Sequence, residues 1–263
     1  MKERADLDQK YVGTVFDRQV RIEDWNQDVL SKQTVLCLGA GGLGSVVIMN
    51  LLRLGVGRII VVDYDKVDVH NLNRQLMYSV KDVGKSKVQA CIENSAFHNV
   101  GGTVLNGFEG CAVTNWHRIV DFAQQSDFIF NMIDYGDWFD AAMQSLCFKL
   151  GKPFVMGGTF ALSMIVDYLA PKGKPCYWCL TDDVADNKEL SAKIHPDLIL
   201  TYSDLKFLPK NNNPIGRSSV CICTACGEFM IAHYLNYLFF DKDYKTQRCI
   251  FYPTSFETMN FPL

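Results

Sequence analysis

The chain has 263 residues, 48% hydrophobic and 21% charged, with a formal net charge of −3. That is an ordinary globular composition, large enough to bury most of the apolar surface exposed on unfolding, and it excludes the basic excess of a nucleic-acid binder and the bias of a disordered chain. The opening MKERADLDQKY has no apolar leader core and no run reaches the roughly 18 apolar residues that span a bilayer, so a cytoplasmic protein with no nucleic-acid and no membrane partner is expected.

Residues 5–31 mix charge with spaced apolar residues and read as helices or turns outside a sheet. The stretch from Thr34 to Lys87 organises the rest. Thr34 to Leu38 read as a buried strand, Gly39, Gly41 and Gly44 as a G-x-G-x-x-G turn with Gly42 inside it, and Leu43 to Leu54 as a helix. Phosphate oxygens can approach bare backbone N–H groups at such a helix end. A second strand, RIIVVDYD, ends in Asp63, about 20 residues past the glycines, where a carboxylate meets a ribose hydroxyl. The chain is therefore expected to bind a nucleotide.

Nicotinamide and flavin oxidoreductases are the commonest holders of this turn. The segment behind Asp63 argues for a triphosphate instead. DYDKVDVHNLNRQLMYSVKDVGKSK supplies Asp65, Asn71, Arg74, Gln75, Lys85 and Lys87, more cations and amides than an uncharged nicotinamide ring needs. Arg74 can form a planar fork on phosphate oxygens and Lys87 a point charge, both suited to charge shifting onto a leaving pyrophosphate.

A helix is expected from Gly84 to Asn99 with Lys85 and Lys87 in its first turn, where cations oppose the macrodipole unless an anion lies between them. Gly102 to Phe108 reads as a strand, Thr114 to Gln124 as a helix, and DFIFNMID as a strand ending at Asp134, placed at the carboxyl end of a parallel sheet to hold magnesium beside phosphates or to cap the next helix, Asp137 to Leu150. KPFVMGGTF and LSMIVDYLA read as two more strands.

Ten cysteines in such a chain suggest reduced core thiols, a metal site or a nucleophile rather than a disulfide framework. Cys176 and Cys179 form one C-x-x-C and Cys223 and Cys226 another; together they offer four ligands for tetrahedral zinc, or are unpaired thiols. Residues 180–218 are polar and turn-rich, the length of a lid or crossover. Cys221 opens the apolar helix that follows, where the dipole favours a nucleophilic thiolate, though a small core residue at the helix entrance fits as well. RCIFYPTSFETMNF reads as an antiparallel hairpin finishing the sheet.

The run D-Y-D-x-V-x-x-x-N-L-N-R-Q followed by V-G-K-S-K, behind G-A-G-G-L-G, resembles the adenylating enzymes that activate ubiquitin-like proteins and their bacterial relatives, the molybdopterin-synthase and thiamine-biosynthesis adenylyltransferases. The resemblance covers nearly the whole chain. It implies ATP and magnesium as cofactors, a small ubiquitin-fold carrier ending in Gly-Gly as partner, and a homodimer or heterodimer in which Arg18, beside Gln19, reaches the phosphates of the other subunit. It also makes Asp134 the catalytic aspartate and sets Gly157 and Gly158 beside the adenylate. Two departures stand out: the family's Asn after that aspartate and the Arg a few residues on are replaced here by Tyr135 and GDWFD, and the family's second C-x-x-C near the C-terminus is absent.

The expected fold is α/β, a doubly wound, Rossmann-like, mostly parallel sheet continued by antiparallel strands, with helices on both faces. It forms one adenylation domain over 1–263: an N-terminal helical segment (1–31), a nucleotide-binding core (32–170), a crossover loop (171–218) and a C-terminal helix and hairpin (219–263). The expected activity is adenylation of a carrier's C-terminal glycine carboxylate, with later thioester transfer open. A non-catalytic subunit of a heterodimeric activating enzyme and an NAD-dependent oxidoreductase are the alternatives.

Overall fold

A computed structural model describes residues 9–135, 137–171, 218–241, 243–252 and 257–262. Eight strands form one sheet in the order β3-β2-β1-β4-β5-β6-β7-β8. The strands are β1 (Thr34–Leu38), β2 (Arg58–Asp63), β3 (Val104–Glu109), β4 (Phe128–Asn131), β5 (Phe154–Phe160), β6 (Ser163–Leu169), β7 (Gln247–Tyr252) and β8 (Glu257–Pro262). The first five pair in parallel; β6, β7 and β8 continue the sheet antiparallel. The parallel part with antiparallel extension expected from the sequence is therefore what forms.

The helices are α1 (Gln27–Leu30), α2 (Gly42–Leu54), α3 (Lys87–Ser95), α4 (Trp116–Gln125), α5 (Asp137–Leu150) and α6 (Val220–Leu235), the last continuing as a π-turn at Asn236–Phe240. Residues 9–31 give short turns and α1, as their spaced apolar residues suggest. Successive strand residues point to opposite faces, and both faces are covered, so β1 is apolar and buried from Val35 to Leu38. Val35 and Cys37 join one buried cluster with α2 and α6 residues such as Ile48, Met230 and Tyr234. Leu36 and Leu38 join the other, with Trp116 and Ile119 of α4 and Phe139 and Leu146 of α5.

Three expectations change in detail. The helix expected from Gly84 begins at Lys87, because Gly84 has φ +89°, outside helical space, and Ser86 accepts the Gln89 N–H as the cap. Lys85 thus lies before the helix and pairs with Asp82 and Glu93. The helix expected from Thr114 begins at Trp116. Gly157 faces α6: a β-carbon there would lie 2.7 Å from Met230 Sδ and 2.9 Å from Cys226 Sγ, so its bareness lets α6 pack against β5 rather than admitting a ligand.

The antiparallel half is pinned by polar groups. Asp167 of β6, 1% exposed, takes two hydrogen bonds of 2.7 Å from Arg248 of β7. His233 of α6 is buried, shares a hydrogen bond with the Tyr244 hydroxyl and stacks on Tyr168. Burial lowers the His233 pKa to about 4. A folded-state pKa below the unfolded value means that stability is fully present above about pH 6.5 and falls as the unfolded chain takes up the proton first, by about 1.4 kcal/mol per pH unit down to the folded value. Urea melts of the parent and of His233→Gln between pH 7 and pH 4.5 should show the variant's midpoint declining less steeply.

Candidate functional site

The chain runs β1, β2, β3 outward and then returns to place β4 beside β1, so the carboxyl ends of β1 and β4 open a crevice at the point where the strand order reverses. A cavity of about 280 Å³ lies there. Its lining comes from the turn after β1 (Gly39, Gly41, Gly42, Leu43), the end of β2 (Asp63, Tyr64, Asp65), the segment with Arg74, Gln75 and Lys87, the turn after β3 (Gly110 to Val113), the end of β4 (Met132 to Tyr135), and Thr159, Ser218 and Cys223.

Gly39 and Gly44 make the turn. Gly39 has φ +94°, and a β-carbon on Gly44 would lie 2.2 Å from the Gly39 carbonyl oxygen. Gly41 is different: a β-carbon there meets only the Gln75 Nε2 at 3.7 Å, so its bare face opens on the cleft. Gln75 is 3% exposed and its Oε1 has no hydrogen-bond donor among the described residues. A buried acceptor without a donor costs about 1–3 kcal/mol, so a cleft ligand that donates to it relieves that penalty. Bare backbone at a helix start and an orphan acceptor beside it fit a nucleotide.

Asp63 braces this floor. Its Oδ2 accepts the Ala40 N–H at 2.7 Å and its Oδ1 accepts the Asp65 N–H at 2.8 Å. Burial pushes its carboxyl above the usual carboxylate range, and the Lys87 charge and the two N–H donors pull it back. Lys87 is 6% exposed; its Nζ donates to Asp65 Oδ2 at 2.8 Å and its N–H to the Asp65 carbonyl at 2.9 Å. That carboxylate is the counter-ion that lets a buried cation sit at a helix N-terminus. Arg74 Nη1 donates to the His70 carbonyl and to Asn73 Oδ1, each at 2.9 Å.

The structure thus brings together Gly39, Gly41, Gly42, Asp63, Asp65, Arg74, Gln75, Lys87 and Asp134, with Gly44 shaping the turn. Other expected site residues stand apart. Asn71 is buried outside the lining and its Oδ1 accepts the Asp68 N–H, capping a turn. Arg18 is exposed and away from this cleft, while Gln19 donates to Gln27 and to the Leu54 carbonyl. Cys221 is exposed in the first turn of α6 and outside the lining; Cys223, two residues on, is inside it.

Of the cysteine quartet expected to offer zinc ligands, Cys223 and Cys226 lie among the described residues. Cys223 Sγ faces Gly42 and lies 3.0 Å from Ser218 Oγ, whereas Cys226 Sγ lies against the Gly158 and Ile165 carbonyls, where burial pushes its thiol up. Cys176, Cys179 and all but the two end residues of the expected crossover at 171–218 lie outside the described residues.

Sequence reasoning missed Tyr78, whose hydroxyl donates to the Ala40 carbonyl at 2.8 Å and lies 3.2 Å from the Lys87 carbonyl, tying the glycine turn to α3. It also missed Cys111, Ala112 and Val113; the rule that singled out Asp134, that loops after parallel strands face the crevice, applies equally to the loop after β3.

Comparisons with known proteins agree with this picture. The maize adenylyltransferase and sulfurtransferase MOCS3-1 is 30% identical over 170 residues, 63% of this chain and 35% of that protein. A NEDD8-activating enzyme E1 catalytic subunit of Caenorhabditis elegans is 32% identical over 174 residues, 60% of this chain and 38% of its own length. The chain therefore spans only about a third to two-fifths of these relatives. Among solved structures, E. coli MccB with ATP superposes at a TM-score of 0.73 and 18% identity, covering 97% of this chain and 73% of MccB, a likeness of fold. The model of the ThiF family matches residues 16–252, and with that span and the glycine turn, Asp63, Arg74 and Lys87 in one cleft, the chain belongs to the ThiF family.

Proposed function

We propose that this chain is an adenylation domain that activates the C-terminal carboxylate of a small ubiquitin-fold carrier ending in Gly-Gly. A carboxylate oxygen attacks the α-phosphorus of ATP, the bond to the β-phosphate oxygen breaks, and pyrophosphate leaves with the electron pair. The observation that carries the reading is the convergence of Arg74 and Lys87 on a cleft floored by the glycine turn. A triphosphate, with more charge than the diphosphate bridge of a dinucleotide, makes fuller use of both cations.

In this reading Gly41 and Gly42 admit the phosphates, Asp63 receives the ribose, and Gln75 Oε1 accepts from the nucleotide. Lys87 and Arg74 bind the phosphates and stabilise charge as it moves to the leaving group, so catalysis is positioning plus electrostatics without an acid–base pair. Asp134, exposed at the end of β4, supplies a hard oxygen of the kind magnesium takes. One carboxylate together with substrate phosphates is a common ligand set for that ion. Magnesium bound there would neutralise phosphate charge. The adenylation step itself calls on no zinc.

Exposed Arg18 is free of duty in its own cleft, in keeping with a dimer in which it serves the partner's. Relatives that bear adenylyltransferase names, among them a sulfur carrier protein adenylyltransferase of Thermus thermophilus at 30% identity, support the same chemistry. The test is ATP–pyrophosphate exchange with purified carriers ending in Gly-Gly. Exchange that depends on the carrier and on its terminal carboxylate is expected; binding of ATP without exchange for any carrier would favour a non-catalytic subunit.

A further inference from the structure

The cleft contains a thiol for which adenylation has no use. Cys223 is 2% exposed overall yet lines the cavity, with Sγ pressed against the start of α2: a β-carbon on Gly42 would lie 2.7 Å from it. It belongs to a polar row. Ser218 Oγ lies 3.0 Å from the sulfur and 3.2 Å from Thr159 Oγ1, and both hydroxyls also line the cleft. The sulfur therefore sits in the first turn of α6, beside the first turn of α2, with a hydroxyl at hydrogen-bond distance. Gln75, a buried residue of the same cavity lining, turns its Nε2 towards Gly41, and its Oε1 has no hydrogen-bond partner among the described residues, a second sign that this space takes a ligand.

Most other described thiols have no such access. Cys37, Cys91, Cys147, Cys226 and Cys249 are buried in the core, and burial raises Cys91 to about 12. Cys221 is exposed but outside the cavity, and Cys111 lines it from the turn after β3.

We propose that Cys223 is a thiol-modification site inside the nucleotide cleft: a small disulfide or thiosulfonate forms a mixed disulfide there, and the adduct and the nucleotide exclude each other. The steric reason is Gly42. Any group added to a sulfur already in contact with that glycine must project over the phosphate-binding turn. The exclusion half rests on the nucleotide reading above. With methyl methanethiosulfonate the Cys223 thiolate attacks the sulfenyl sulfur, a sulfur–sulfur bond forms, the sulfur–sulfonyl bond breaks, and methanesulfinate leaves with the electron pair while the thiol proton goes to solvent. Cys223 is oxidised to the disulfide level and the reagent is reduced by the same two electrons, and dithiothreitol reverses the step.

The full chain would be treated with methyl methanethiosulfonate with and without ATP and magnesium, each cysteine read by peptide mass mapping and ATP affinity by calorimetry. Expected are a methylthio group on Cys223, a fall of at least tenfold in ATP affinity restored by dithiothreitol, and at least tenfold slower labelling of Cys223, but not of Cys221, when ATP is present. In Cys223→Ala, treatment should no longer lower ATP affinity relative to the untreated variant. The proposal is overturned if Cys223 stays unlabelled in the folded protein while reacting in urea, if ATP gives no protection, or if the affinity loss persists in Cys223→Ala, which would assign it to another cysteine. Untreated protein that binds no ATP overturns the adenylation reading and the exclusion with it; the other outcomes leave adenylation standing.

Discussion

Replacing Lys87 by methionine should lower carrier-dependent ATP–pyrophosphate exchange by about a hundredfold or more and weaken ATP binding, without unfolding the protein. Removing one pre-positioned donor from a charge-stabilising site costs on the order of 10² to 10³ in rate. Methionine preserves the buried stem, and the stranded partner, Asp65, has 45% of its side chain exposed and can turn to water, so the loss of the ion pair costs little stability. Lys85→Met is the matched control. Lys85 is bound to Asp82 and Glu93 and does not line the cleft, so exchange should stay within about twofold of the parent, as expected of a solvent-screened surface ion pair. Equal losses in the two variants would mean that Lys87 does not face the phosphates.

The second large effect is on stability. Gly44→Ala would set a β-carbon 2.2 Å from the Gly39 carbonyl oxygen, a contact between backbone atoms that no side-chain rotation relieves. Overpacking of this kind should cost about 3 kcal/mol or more. For a chain of this size that is a fall in Tm of roughly 6–10 °C. Gly41→Ala, three residues earlier, meets only the Gln75 amide at 3.7 Å. Its Tm should stay within about 2 °C of the parent, as for substitutions away from packed groups, while ATP affinity drops because the methyl group enters the cleft. Calorimetric melts and ATP titrations of the two variants separate the glycine that builds the turn from the one that leaves room for the ligand; a Gly44→Ala protein as stable as the parent would refute the packing argument.

Much of this could be read from the chain because each local signal agreed with the next. A strand, a glycine turn and a helix, followed by a second strand ending in an acid, admit few arrangements, and α5 runs over the residues expected of it. Boundaries moved where one backbone angle or one cap decided them, as at Gly84 and Ser86. Site residues were legible when they lay in the contiguous run after Asp63. They were hidden when a long-range contact recruited them: Tyr78 matters through the Ala40 carbonyl 38 positions away, and Cys223, expected as a metal ligand, meets the cleft through a glycine at the start of α2. Asn71 shows the converse, a side chain of the right type whose oxygen is occupied by the neighbouring backbone.

The clasp between β6 and β7 joins Asp167 to Arg248 across 81 positions, whereas the parallel strands that frame the cleft are complete by Phe160. A ribosome would thus have released every cleft-forming strand long before the arginine emerged. Until then Asp167 would be an uncompensated carboxylate and β6 an open margin, a template for pairing with another polypeptide. Assembly of the antiparallel half is therefore the slow, non-local step, and the interval before it is when a chaperone would have most to shield.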